Sequence, residues 1–228
     1  MNRRHFFASS AVFASTAALV PASSRGHAVR LQEEPPPQLD PEKVRQFVGA
    51  SHGRIETVRE MLAADPMYVN ASWDWVAGDW ETGLGAASHV GNRAIAELLL
   101  DHGARINVFA MTMLGHTDMM KAILATYPET HQVPGPHGIP MLSHAIFGKE
   151  PADEVFELLL ESGADINAAS NAGQTPVMAA AGTGRVEVVE HLIELGADTS
   201  ATDGRGRTAL DYAKSREHGD VVKLLTEK

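Results

Sequence analysis

Gly173-Gln174-Thr175-Pro176-Val177-Met178-Ala179-Ala180-Ala181-Gly182-Thr183-Gly184 runs directly into Arg185-Val186-Glu187-Val188-Val189-Glu190-His191-Leu192-Ile193-Glu194-Leu195-Gly196-Ala197-Asp198. The first half is unsuited to a strand, because Ala, Gly and Pro are poor strand formers. Thr175 can cap a helix that Pro176 opens, since proline fits the first helical turn, where its missing N–H would have no partner anyway. Ala179, Ala180 and Ala181 give that short helix a small-residue face for close approach to its neighbours. After the Gly break, Val186, Val188, Val189, Leu192, Ile193 and Leu195 gather largely on one side of a second helix. Glu187, Glu190 and Glu194 take the other side. The stretch therefore predicts a turn, a short helix, a break and a longer amphipathic helix stopped by Gly196.

The unit recurs. Gly173 and Gly206, Thr175 and Thr208, and Gly163 and Gly196 each stand 33 residues apart by subtraction of their numbers. With a Thr-Pro helix opening, that period resembles the ankyrin repeat. The resemblance rests on Gly173, Thr175-Pro176, Ala180-Ala181 and Gly184, with Gly163-Ala164-Asp165-Ile166-Asn167 and Gly196-Ala197-Asp198. Gly103-Ala104-Arg105-Ile106-Asn107 and Thr208-Ala209-Leu210-Asp211-Tyr212-Ala213 extend it. It implies an all-α ankyrin-repeat solenoid of about six helix-turn-helix units with short β-hairpin loops, over residues 41–228. No single repeat buries its own apolar face, so the units must stack. The expected units are 41–71, 72–107, 108–133, 134–167, 168–200 and 201–228. The first is a degenerate cap in which Asp65-Pro66 replaces the closing glycine. The second carries Gly83 and Gly85 in its first helix, and the third has almost no hairpin. The last is polar, with Lys214, Arg216, Glu217 and Lys223.

Residues 1–28 read as an export signal. Arg3-Arg4 precede Phe6-Phe7 and a mildly apolar Ala/Ser-rich run, and Gly26-His27-Ala28 supplies small residues for cleavage. The pattern resembles a twin-arginine signal, although Asn2 stands where Ser or Thr is preferred. A periplasmic or secreted location after cleavage near Ala28 follows as an expectation. Residues 29–40 contain Pro35-Pro36-Pro37 and read as an extended linker.

The 228-residue chain has 19 basic and 29 acidic side chains, and its first 28 residues hold three arginines and no acid. The remainder therefore carries a net −13, which disfavours nucleic acid and anionic membranes and favours a basic partner. Zero cysteines exclude disulfides and thiolate metal sites. No Gly-x-Ser-x-Gly elbow, no phosphate loop and no paired-histidine metalloprotease motif occurs, so no catalytic residue, metal site or cofactor is assigned and the chain is read as non-enzymatic.

All three tryptophans lie in Trp73-Asp74-Trp75-Val76-Ala77-Gly78-Asp79-Trp80, the loop that should project as the hairpin of the second unit. Tryptophan is enriched among binding hot spots. Trp73, Asp74, Trp75, Asp79 and Trp80 are the expected partner-binding residues, with His89, Met113 and His144 from the inner helix face. The alternative for the rings is local packing on the array. His144 takes the register position of Ala180, and a buried, hydrogen-bonded imidazole is its plainer reading. A second functional reading is a periplasmic small-molecule or metal-binding protein that uses the loop 129–140, with His131 and His137, beside His144.

Overall fold

A computed structural model of the chain describes residues 38–227. The expected export signal at 1–28 lies outside the described residues, as does the linker up to Pro37. Twelve α-helices alternate in two rows among the described residues. The inner row is α1 (Pro41–Ala50), α3 (Gly83–His89), α5 (Val108–Leu114), α7 (Met141–Gly148), α9 (Pro176–Thr183) and α11 (Ala209–Ser215). The outer row is α2 (Ile55–Ala64), α4 (Arg93–Asp101), α6 (Thr117–Thr126), α8 (Asp153–Glu161), α10 (Val186–Glu194) and α12 (Gly219–Glu227). Successive inner helices pack on one another, and each outer helix packs behind its own inner partner. This is an all-α repeat solenoid.

The helix starts follow local chemistry. The side chains of Asp40, Thr82, Asn92, Asn107 and Thr208 each accept a hydrogen bond from a backbone N–H of the first helical turn. Thr208 and Asp211 complete a reciprocal capping box on α11. Thr175 departs from expectation: its backbone is extended as a cap requires, but its hydroxyl bonds no helix N–H. The missing N–H of Pro176 has already removed one orphan donor there.

One continuous apolar seam fills the space between the rows. Phe47, Leu62, Leu84, Ile95, Leu99, Met113, Met120, Leu142, Ile146, Phe156 and Leu159 are all fully buried. Each such side chain contributes roughly 1.5–3 kcal/mol by leaving water, and a single helix pair holds too few of them to stand alone. Backbone close approach fixes the spacing at unit three. Gly115 ends α5 in the left-handed conformation (φ 78°), and a Cβ built on it would sit 1.7 Å from the Pro151 carbonyl oxygen.

The repeat period also shows as rungs between units. The Asn70 amide donates to the Gly103 carbonyl at 3.2 Å and accepts from the Arg105 N–H at 2.7 Å. Three units later the Asn167 oxygen accepts from the Asp198 N–H at 2.9 Å. Lys121 reaches Glu154 at 2.9 Å, and Arg185 pairs with Asp153.

The expected hairpins are mostly plain turns. Among the described residues a strand ladder forms only between β1 (Ser72–Asp74) and β2 (Trp80–Thr82), antiparallel, pairing Ser72 with Thr82, Trp73 with Glu81 and Asp74 with Trp80. The later hairpin positions close by single turn bonds, Ser170 N–H to Gln174 O at 3.0 Å and Asp203 N–H to Arg207 O at 2.9 Å. The connection from Tyr127 to Pro140 folds into two short 3-10 turns, Pro128–Gln132 and Pro136–Gly138. It crosses the inner row. A Cβ on Gly135 would lie 2.6 Å from His144 Nε2 and 3.2 Å from the Phe109 ring, and one on Gly85 would touch Pro136. No helix among the described residues is long and apolar enough to cross a membrane.

Candidate functional site

The tryptophan hairpin and the crossing connection meet at one place. Successive strand residues point to opposite faces, so on β2 Trp80 faces out, 62% exposed, while Glu81 faces in and is completely buried. The tip is held rigidly. Both carboxylate oxygens of Asp74 accept the Gly78 N–H at 3.0 Å, and Trp75 N–H and Asp79 N–H bond to Asp79 O and Val76 O at 3.1 Å. Val76, at the tip, is 75% exposed.

Buried Glu81 gathers three imidazoles. His52 comes from the turn between α1 and α2, His89 is the last residue of α3, and His137 sits in the 3-10 turn of the connection. His89 Nδ1 lies 2.9 Å from Glu81 Oε1, His137 Nε2 lies 3.5 Å from Oε1, and His52 Nε2 lies 3.5 Å from Oε2. One ligand-capable atom from each of the four residues falls within 4.8 Å of every other. The rings are stacked edge to face, His52 on His89 at 4.9 Å and His89 on His137 at 5.1 Å between centroids.

A second layer orients these groups. The Trp75 indole N–H donates to Glu81 Oε2 at 2.7 Å. His137 Nδ1 lies 2.6 Å from Asp79 Oδ2, and the His137 backbone N–H donates to Asp79 Oδ1 at 2.8 Å. His52 Nδ1 lies 3.3 Å from the Gly49 carbonyl oxygen, so the ring donates its proton there. Burial pushes the Glu81 carboxyl up, but the facing His89, the Trp75 N–H and His52 outweigh it and hold the group below its ordinary range. Burial likewise opposes the ionised form of Asp79, and the two contacts from His137 overcome it. Desolvation pulls the His52 imidazole below its usual value despite the pull of Glu81. At neutral pH the cluster is a buried carboxylate facing a neutral His52.

The residues expected to meet a partner thus divide. Trp80 is on the surface, and Asp74 and Asp79 border it while spending their carboxylates on Gly78 and His137. Trp73 and Trp75 pack back on the core, Trp75 against Gly49 of α1, which is the local-packing alternative for these two rings. His89 is 9% exposed, and Met113 and His144 are fully buried. These three are therefore no open partner surface, because the crossing connection and neighbouring helices occupy the inner face. His144 also lacks the expected hydrogen bonds: neither ring nitrogen makes one of acceptable geometry, and burial, only weakly opposed by the Ser88 backbone, drives its pKa down to about 3.

The histidines of the loop reading part company. His137 joins the cluster, whereas His131 bonds the Pro128 carbonyl at 2.6 Å and His144 remains outside it. Glu81 and His52 are not among the expected partner-binding residues, Glu81 counting only as one of the acids interleaved with the tryptophans. The available signal was strand alternation, since a register that turns Trp80 outward forces the neighbouring acid inward, where it needs partners.

Two shallow clefts flank the connection. One of about 360 Å³ is lined by Gly78, Asp79, Trp80, Phe109, Pro134 and Pro136. The other, about 460 Å³, lies between His131, Pro134 and Gly138 on one side and Gly163, Asp165 and Ala168 on the other.

A family model for ankyrin repeats, in three copies, matches residues 141–228, the fourth to sixth units. The fifth and sixth share the Gly173/Gly206 and Thr175/Thr208 positions, whereas the first two units carry the departures at Asp65-Pro66, Gly83 and Gly85. With twelve helices and one short hairpin among the described residues, the fold is an all-α repeat solenoid whose last three units match the ankyrin repeat. Ankyrin repeats are generally non-enzymatic and imply protein partners. No curated protein matches the chain.

Proposed function

We propose that this chain is an exported, non-enzymatic interaction module that takes a basic protein partner on the tip of the tryptophan hairpin. The single observation behind this reading is the pairing of an exposed Trp80 and Val76 with a rigid support. Two large apolar side chains stand in water on a hairpin whose tip is braced by turn bonds and the Asp74 carboxylate, beside the cleft lined by Phe109, Pro134 and Pro136. A fixed aromatic anchor loses little conformational entropy on binding, which is what a hot spot requires. The net −13 of residues 29–228 would draw a basic partner and set its approach. The twin arginines and the small-residue cleavage site support export through the twin-arginine route.

The test is paired. Capture from the exported fraction is compared between the wild-type chain and Trp80→Ala combined with Val76→Asp, with identification by mass spectrometry. One partner enriched on the wild type and lost from the variant supports the reading; equal capture by both removes the hairpin from it. For export, a mature mass beginning near Val29 is expected, and Arg3→Lys with Arg4→Lys should leave the chain unprocessed. Unchanged processing would remove the twin-arginine route.

A further inference from the structure

We infer that His52, Glu81, His89 and His137 form a binding site for one divalent transition-metal ion of the zinc class. This goes beyond the partner-binding reading and does not depend on it.

Three features of the cluster point to a ligand. The first is donor geometry. Zinc–nitrogen and zinc–oxygen bonds of roughly 2.0–2.2 Å in a tetrahedral shell set neighbouring donors about 3.3–3.5 Å apart. From Glu81 Oε1 the separations are 2.9 Å to His89 Nδ1 and 3.5 Å to His137 Nε2, His52 Nε2 lies 3.5 Å from Oε2, and one ligand atom from each of the four residues falls within 4.8 Å of every other.

The second is an unexplained contact. Glu81 Oε1 and His89 Nδ1 are buried and 2.9 Å apart, an ion-pair contact when the imidazole is protonated, yet its angles make no hydrogen bond. A buried carboxylate oxygen without a donor is costly. Two lone pairs converging on a shared cation remove the cost, whereas a misaligned hydrogen bond does not.

The third is the second layer. Metal-ligating histidines usually donate their other ring N–H to a carboxylate or a backbone carbonyl, which fixes the tautomer. His137 does so to Asp79 and His52 does so to Gly49 O, and both leave Nε2 facing Glu81. Trp75 holds the remaining carboxylate oxygen. The two carboxylates, Asp79 and Glu81, supply the charge that a divalent cation neutralises. Three imidazoles disfavour magnesium and calcium, which take oxygen ligands. Entry is open, since His52 and His137 are partly exposed. The bound ion would tie the α1–α2 turn, the hairpin and the connection 134–138 together, closing the cover over His144.

The experiment is calorimetric titration of zinc chloride into the tag-free full chain after stripping with EDTA, with cobalt(II) as the spectroscopic probe. One ion per chain at sub-micromolar affinity, a cobalt absorption band of tetrahedral type, and no heat with magnesium chloride are expected. His137 lies in the connection, so His137→Ala should keep the helical circular dichroism and weaken zinc binding by more than about 100-fold. Asp79→Asn should weaken it by about 10–100-fold, and His131→Ala should leave it unchanged. Absent zinc binding overturns the proposal. So does affinity that survives both His137→Ala and Asp79→Asn, or that disappears with His131→Ala, because the ion would then sit on other histidines.

Discussion

Replacing His144 with leucine should make the solenoid more stable, and the gain should grow as the pH falls. The ring is fully buried and packs 5.0 Å from Phe109 between centroids, and neither nitrogen makes a hydrogen bond of acceptable geometry. Its folded-state pKa is about 3, while an unfolded histidine titrates near ~6.5. The sign follows from proton counts. Between these values the unfolded chain binds a proton that the folded chain refuses, so stability falls on acidification below about pH 6.5 and continues to fall toward pH 3. At about 1.4 kcal/mol per pH unit below the unfolded value, His144 costs roughly 2 kcal/mol at pH 5. At pH 7 this linkage nearly vanishes, leaving roughly 1–3 kcal/mol for unpartnered polar atoms that leucine removes. Thermal melts followed by circular dichroism at pH 7 and pH 5, both in EDTA, compare the two proteins. For a domain of this size 2 kcal/mol is a shift of about 4–8 °C, so the variant should melt higher at both pH values and lose about that much less between them. Glu81 and Asp79, held below their ordinary values, titrate under this window, and the lowered His52 contributes equally to both proteins. An identical pH dependence in wild type and variant would refute the account, as would a variant that melts lower at both pH values.

Three further outcomes follow from single positions. Gly115→Ala should destabilise the chain by more than about 3 kcal/mol in a urea melt, because it strains a left-handed residue and drives a methyl group into the Pro151 carbonyl; a loss under 1 kcal/mol would show that α5 and α8 slide apart freely. Trp75→Phe should cost about 1–3 kcal/mol by leaving the buried Glu81 oxygen without its indole donor, whereas Trp80→Ala should stay within about 0.5 kcal/mol of wild type because its ring is already in water. Equal losses from the two would contradict the inward and outward assignment of the hairpin. Asp203→Asn should raise hydrogen exchange selectively over residues 201–227, since Asp203 alone gathers Arg207, Tyr212 and two backbone N–H groups at the last unit; uniform exchange along the array would count against it.

Periodicity made the array legible. The 33-residue spacing of glycines and threonines, the apolar stripe on Val186–Glu194 and the capping residues are local signals, and local hydrogen bonding and amphipathicity are enough to make helices. Pro176 opens one helix, Gly184 breaks it and a second runs from Val186 to Glu194 before Gly196, as the Gly173–Asp198 stretch predicts. The tryptophan loop also declared itself, through composition. Its division did not, because alternation along a strand depends on register, and the register that turns Glu81 inward and exposes Trp80 is set by cross-strand pairing with Ser72–Asp74.

The amino-acid order alone determined that this protein is a stack of short helix pairs, since each pair specifies its own turns and leaves one greasy face that only a neighbour can cover. Tertiary structure decided what that stack could present. His52, Glu81, His89 and His137 come from segments as far as 85 residues apart by subtraction, and no spacing rule brings them together. They meet because the connection after α6 folds back across the inner helices instead of projecting. A nonlocal crossing of this kind depends on the shapes of the glycine-lined surfaces at Gly85 and Gly135, and shape of that sort exists only once the chain has packed.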